Sequence, residues 1–311
     1  MLDSRRVFLL YIIVIVVPLV CTIVGILLFP YPMDSLAQTF SIVSLCIGLS
    51  LLGLGYILKN FGKAPLLRAV GWLIFACYWS TQINSLYFSE GRDVFNTALC
   101  ILGIFVLAYL SYREMFLLFI GKKEDVLVWL AGTAFISGTI YFTLYSVSFL
   151  RNYMILSVAE LTTRILRFFG FLVYRESNVI YCEYGCMPIS IIFACTAIQA
   201  MSLFIGMIAS LEGVKAKRKF LSLILTITVI WLSNLIRTSG VVYLINMMGV
   251  SFFLAHNVIS KIGGLVVLVA LLLINFKFLP PLYNNVCSVF NIYKEYGPLE
   301  NMVKKILERK V

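Results

Sequence analysis

Three side chains of this sequence could do chemistry together: the thiol of Cys195, the guanidinium of Arg237 and the imidazole of His256. His256 is the single histidine in the chain. A cysteine attacks as its thiolate, a state that a cationic neighbour favours and an apolar setting opposes. Arg237 could supply the fixed charge, either for the thiolate or for the oxyanion that forms on an attacked carbonyl. His256 could take the thiol proton and later hand one to a leaving amine. The three would support acyl transfer through a thioester. Taken singly, each has a plainer role. A membrane cysteine is usually inert packing, and a lone arginine at depth often pairs with carbonyls or lipid phosphate. A histidine at a helix end is usually an interface residue.

The elements that must position these groups are read from composition. Of the 311 residues 61% are hydrophobic and 13% charged. Soluble domains run near ~45–50% and ~25%, so the bilayer is the expected solvent and the chain reads as an all-α integral membrane protein. A hydrocarbon core of ~30 Å needs about 20 apolar residues as helix, and eight stretches qualify, at about 7–29, 36–58, 69–89, 94–111, 126–149, 189–210, 220–245 and 254–276. The first is too long for a signal-peptide core and lacks a small-residue cleavage site, so it is expected to be retained. The whole chain, 1–311, reads as one membrane domain.

Basic residues set the orientation. Of the 25 Lys and Arg residues, 18 fall on one side. These are Arg5 and Arg6, the loop sets around Lys59, Lys122 and Lys215–Lys219, and the tail. The opposite side carries Arg92, Arg151, Arg164, Arg167 and Arg175. The positive-inside rule places both termini in the cytoplasm and the long connection 150–188 outside. Within that connection Met154, Val158, Leu161, Ile165, Phe168 and Leu172 recur at helical spacing, which predicts an amphipathic helix at the membrane interface. Asn178 to Pro188 reads as extended chain or a tight hairpin, and 280–311 as a cytoplasmic tail with an amphipathic segment.

All 14 acidic residues fall outside the expected spans, leaving Arg237, His256 and Lys261 as the ionisable groups within them, besides tyrosines and cysteines. Such residues are functional candidates because charge at bilayer depth is costly. With the sixth span running inward, Cys195 lies about 9 Å below the outer boundary, Arg237 about 12 Å down and His256 at the boundary. One layer of the outer leaflet would then hold all three. Cys195, Gln199, Ser202 and Gly206 are expected on one helical face. Thr226, Ser233, Arg237 and Gly240 are expected on a second, with Asn234 one turn before Arg237. His256, Ser260, Gly263 and Gly264 would form a third, and the three small-residue faces are expected to meet.

Lys261 points toward the outer surface and reads as a lipid contact or a group at the pocket rim. Cys182 and Cys186 face the outside, at a spacing that allows a small-loop disulfide. No zinc ligand set accompanies them, so neither a metal nor a cofactor is expected. Trp79, Ser80, Thr81, Gln82, Asn84 and Ser85 form a polar patch that fits interfacial anchoring better than a substrate groove.

The segment Ala194-Cys195-Thr196-Ala197-Ile198-Gln199 resembles the cysteine motif of the archaeosortase/exosortase family. Asn234-Leu235-Ile236-Arg237 resembles its arginine motif, and Ala255-His256-Asn257-Val258-Ile259 with Lys261 and Gly263 its third. Common versions of the first motif have glycine where this chain has Ala197. The resemblance covers the later spans, favours the archaeal over the bacterial branch, and implies a membrane-embedded cysteine peptidase/transpeptidase. Its substrates would be exported surface proteins ending in a sorting signal: a short signature, a transmembrane helix and a basic cluster. The resemblance implies removal of that segment at the outer leaflet of the cell membrane and transfer to a membrane lipid. Cys195 would be the nucleophile, Arg237 the thiolate or oxyanion stabiliser and His256 the general base or positioning group, supported by Asn234, Gln199 and Lys261. No nucleic-acid partner is implied. The main rival is a multi-pass transporter with an outer-leaflet anion site around Arg237, which would favour inverted repeats that are not evident. A lipid-linked acyl- or glycosyltransferase and a purely structural membrane protein are the other readings.

Overall fold

A computed structural model of the chain describes residues 3–89, 93–183, 187–294 and 297–308. In chain order the elements are α1 (Ser4–Leu28), α2 (Ser35–Ile57), α3 (Ala64–Thr81), α4 (Ile83–Ser89), α5 (Val94–Ile120), α6 (Asp125–Ser146) and α7 (Ser148–Phe168). They continue with β1 (Val173–Glu176), β2 (Val179–Cys182), β3 (Ile189–Ser190), α8 (Ile198–Ala209), α9 (Ala216–Asn246), α10 (Phe253–Phe278), α11 (Pro280–Val289) and α12 (Pro298–Glu308). Helices α1, α2, α5, α6, α9 and α10 are each long and apolar enough to cross a membrane. Local signals set several boundaries. Asp34 and Asp93 cap α2 and α5 by accepting from the Ala37 and Asn96 amides, and left-handed Gly121 ends α5.

Two of the expected spans take another form. The stretch at 69–89 is broken at Gln82 into α3 and the short α4. The stretch at 189–210 is not one helix. It comprises β3, a 3-10 turn (Phe193–Thr196) and α8. The 12 residues of α8 cover about 18 Å, short of a ~30 Å core. The apolar run Ile189-Ser190-Ile191-Ile192 explains the difference, because an apolar run that short serves a strand as well as a helix, and isoleucine favours the strand. The fold is thus helical with one small antiparallel sheet, ordered β1-β2-β3.

The chain forms two compact units, residues 1–135 with 285–311, and residues 136–284. In the first, α5 runs on to Ile120 rather than stopping near residue 111, which overturns the expectation that every acidic residue lies outside the apolar helices. Glu114 is only 1% exposed and Arg68 on α3 only 3%. They make a two-point ion pair, Nε to Oε1 at 2.6 Å and Nη2 to Oε2 at 2.9 Å, while Nη1 donates to the Gly55 carbonyl at 2.9 Å. Next to Glu114, buried Arg113 reaches Glu124 at 3.0 Å and Glu300 at 3.4 Å. Tyr109 and Tyr112 donate to the same Glu300 carboxylate at 2.8 and 2.7 Å, which fastens α12 to α5. Close helix packing accompanies this. A Cβ at Gly25 would run into the Ser80 carbonyl, and one at Gly48 would press on the Phe75 backbone.

The polar patch of residues 79–85 is largely spent on the same packing. Thr81 and Gln82 bond the Ser41 hydroxyl, and Asn84 donates to the Ile26 and Phe29 carbonyls at 2.9 and 2.8 Å.

In the second unit, α7 is the expected amphipathic helix, with Val158, Ala159, Thr162, Thr163 and Leu166 buried. The helix ends at Phe168, so Leu172, expected on the same helical face, lies beyond it just before β1. The sheet is tied to α7 by Arg167 donating to the Val173 carbonyl at 2.7 Å and by the Arg175–Glu160 pair at 3.0 Å. Helices α9 and α10 are joined by Asn275, which bonds Ser222 and donates to the Thr226 hydroxyl at 2.9 Å. Thr226 thus shares with Arg237 the side of α9 that meets α10, since each bonds a residue of that helix.

Removing one partner of a buried ion pair leaves an uncompensated charge, which costs roughly 3–5 kcal/mol. Arg68→Ala is expected to lower the thermal unfolding midpoint in detergent sharply. The paired change Arg68→Met with Glu114→Leu is expected to restore most of it. A single variant as stable as wild type would show that the pair is not structural.

Candidate active site

Cys195 lies in the 3-10 turn, where its N–H donates to the Ile192 carbonyl at 2.9 Å. It is not part of α8, so the face predicted for Cys195, Gln199, Ser202 and Gly206 on one continuous helix does not exist. The chain passes from the turn into α8 through Ala197, whose backbone is left-handed at φ 57° and ψ 13°. This geometry gives a physical reason for glycine at that place in related motifs, because an L side chain there costs about 1–2 kcal/mol. The turn also sets Cys195 in sequence just ahead of the N-terminus of α8. The positive end of a helix dipole favours negative charge there, by about 0.3–1 kcal/mol at exposed sites.

Arg237 comes from the middle of α9, and a network of bonds ties it to the turn. Asn234, one turn earlier on the same helix and only 4% exposed, donates from Nδ2 to the Cys195 carbonyl at 2.8 Å. Its Oδ1 accepts from Arg237 Nη2 at 3.0 Å. The other terminal nitrogen, Nη1, lies 3.4 Å from the Ser260 hydroxyl of α10. One carboxamide therefore holds the Cys195 backbone with its amino group and the Arg237 guanidinium with its oxygen. This orientation of Asn234 satisfies both partners, whereas the flipped amide would set donor against donor.

His256 sits in the π-helical first stretch of α10, Phe253–Ile259. Its neighbour Ala255 is fully buried in the apolar cluster of Leu235, Val241 and Val242 against which Cys195 packs. The imidazole itself stacks on Phe252 at 5.1 Å, with Nδ1 at 3.3 Å from Asn257 Oδ1. Among the described residues it makes no hydrogen bond to Cys195 or Arg237, so Cys195, Asn234, Arg237 and Ser260 are joined and His256 stands one helical turn away. π-Helical segments of this kind occur often at functional sites.

Gln199 is exposed, with Nε2 at 3.5 Å from the Tyr141 hydroxyl. Lys261 is exposed on α10. A Cβ placed at Gly240, Gly263 or Gly264 would meet nothing within 4 Å, so those glycines do not provide the close helix packing expected of them. Cys182 is buried on β2, and Cys186 lies outside the described residues. Among the described residues no group of three or more His, Cys, Asp or Glu side chains could hold a metal ion.

Fold and site together describe a helical membrane protein in which the backbone of a cysteine and the guanidinium of an arginine are held by one buried carboxamide. Archaeosortase A of Natronomonas pharaonis is similar to this chain, 26% identical over 187 residues. The match spans 57% of each chain, so this protein covers a little over half the length of that relative. The likeness supports an archaeosortase/exosortase-like family and does not single out a member. No family model matches the chain, and no solved structure does.

Two substitutions test this geometry. Ala197→Gly is expected to relieve the left-handed strain and stabilise the protein by about 1 kcal/mol, read as a raised unfolding midpoint. Asn234→Ala strips a buried carbonyl of its donor and should destabilise by about 1–3 kcal/mol. It should also free Arg237 and slow alkylation of Cys195, followed by mass spectrometry of the Cys195 peptide. Unchanged alkylation would mean that Asn234 does not position the pair.

Proposed function

We propose that this protein is a membrane-embedded cysteine transpeptidase, most like archaeosortase A, that cleaves the C-terminal sorting signal of exported surface proteins. The observation that carries the reading is the Cys195–Asn234–Arg237 linkage, found at the residues that resemble the family's motifs. Both termini lie on the cytoplasmic side, as the basic loops imply, and the site opens at the outer leaflet.

The Cys195 thiolate attacks the scissile carbonyl, forming the S–C bond. Arg237, held by Asn234 and Ser260, spends its remaining N–H groups on the oxyanion. His256 takes the thiol proton after leaving its stack on Phe252, then delivers it to the departing amine as the C–N bond breaks. The released segment carries the transmembrane helix and basic cluster. Water or a nucleophilic lipid group then attacks the thioester and regenerates the thiol. An apolar furrow lined by Leu225, Val229, Val267 and Leu271 of α9 and α10 suits an acyl chain of such a lipid.

The test uses a reporter: a surface protein from the same genome ending in a signature, a transmembrane helix and a basic cluster, with a C-terminal tag. Wild-type protein is expected to remove the tag and Cys195→Ala to leave it on at equal expression. Arg237→Ala should slow removal by about 10²–10³-fold, the cost of losing one oxyanion donor. His256→Ala should slow it by about 10²–10⁴-fold, the usual range for a general acid–base. Equal processing by wild type and Cys195→Ala would make Cys195 packing and end the peptidase reading.

A further inference from the structure

The sheet of the second unit has an edge that leads straight to the nucleophile. Strand β3 pairs with β2 in antiparallel register, Ile180 opposite Ile189 and Val179 opposite Ser190. The pairing continues one residue further. The Ile191 N–H donates to the Asn178 carbonyl at 2.8 Å, and the Asn178 side chain donates to the Ile191 carbonyl at 2.8 Å. Both main-chain groups of Ile191 are therefore turned toward β2. In an antiparallel ladder consecutive residues turn these groups to opposite sides. Ser190 and Ile192 must then point theirs to the other edge, which carries no strand among the described residues.

The segment from Ile189 to Ile192 is extended and alternates in burial. Ile189 and Ile191 are buried at 7% and 1%, while Ser190 is exposed and Ile192 is 46% exposed. One carbonyl of this edge is already used, since Ile192 accepts from the Cys195 N–H. The Ser190 N–H and C=O and the Ile192 N–H remain. Unpaired strand edges are templates for a further strand, and near a membrane, where water is scarce, such groups are costly to leave unmade.

We propose that this edge is the substrate-recognition element: an extended segment of the sorting signal, next to its scissile bond, adds to β3 as a fourth strand. This rests on the transpeptidase reading and specifies how that site takes its peptide. Strands lie about 4.8 Å apart, and the three residues from Ile192 to Cys195 in a 3-10 turn rise about 6 Å. A strand docked beside Ser190 and Ile192 would therefore run alongside the turn that carries Cys195. Recognition of this kind takes affinity from the peptide main chain and specificity from alternate side chains. It would select for an unfolded, extended signal rather than for the helix that follows it.

The experiment uses the full-length protein and the tagged reporter. Ser190→Pro removes an N–H that is not part of the β2 ladder, a position at which an edge strand accepts proline. It should reduce tag removal at least tenfold at an unfolding midpoint close to that of wild type, which shows that the sheet itself is intact. In a Cys195→Ala background, Ser190→Cys or Ile192→Cys is then paired with single cysteines walked along the reporter. Disulfides are expected at every second reporter position upstream of the cleavage site. Wild-type processing by Ser190→Pro, a three-to-four-residue cross-linking period, or no cross-link at all would overturn the proposal. Those outcomes leave the transpeptidase reading intact so long as Cys195→Ala fails to process the reporter. If Cys195→Ala processes it, the parent reading falls instead.

Discussion

An apolar chain offers its polar groups few partners, so charged and amide side chains placed inside are largely bound to one another and to the backbone. Both units are organised by that constraint. In the first, Arg68 is saturated by the two oxygens of Glu114 and by a backbone carbonyl, and Arg113 shares Glu300 with two tyrosines. In the second, Asn275 joins two helices by bonding hydroxyls on one of them, and Asn234 joins a helix to a turn. A buried network of this kind is worth having only when each member is satisfied, because a half-made one costs more than an apolar core.

The same constraint separates a neutralised charge from one held by neutral partners. Arg68 faces a carboxylate and has little left to give. Arg237 meets neutral partners, a carboxamide oxygen and a hydroxyl, which hold the guanidinium without neutralising it. Neither partner carries a charge to offset its own. This difference in partners, more than depth, is what distinguishes a candidate catalytic arginine from a packing one.

Placing the thiol on a turn rather than within a helix has further consequences. A cysteine in mid-helix is hemmed in by its own backbone, and the helix offers no free main-chain donors beside it. In a 3-10 turn between an edge strand and a helix N-terminus, Cys195 has extended main chain on one side and a dipole's positive end on the other. Left-handed Ala197 is the local cost of that junction.

By itself the sequence determined the membrane class, because composition and apolar length answer to the bilayer directly, and it picked out Cys195, Asn234 and Arg237 by residue type and spacing. The amphipathic α7 was equally legible, since helical periodicity survives whatever packs against it. Only the tertiary structure decided that residues 189–197 form a strand and a turn. Isoleucines in a short apolar run satisfy either element, and the choice falls to β2, which offers the run a ladder. Tertiary structure also decided that Arg113 and Glu114 are interior. A charged pair looks like a loop until the helix that neutralises it is known, and Arg68 lies some 46 residues away along the chain. Pairing over such separations is set by packing, which no local pattern encodes.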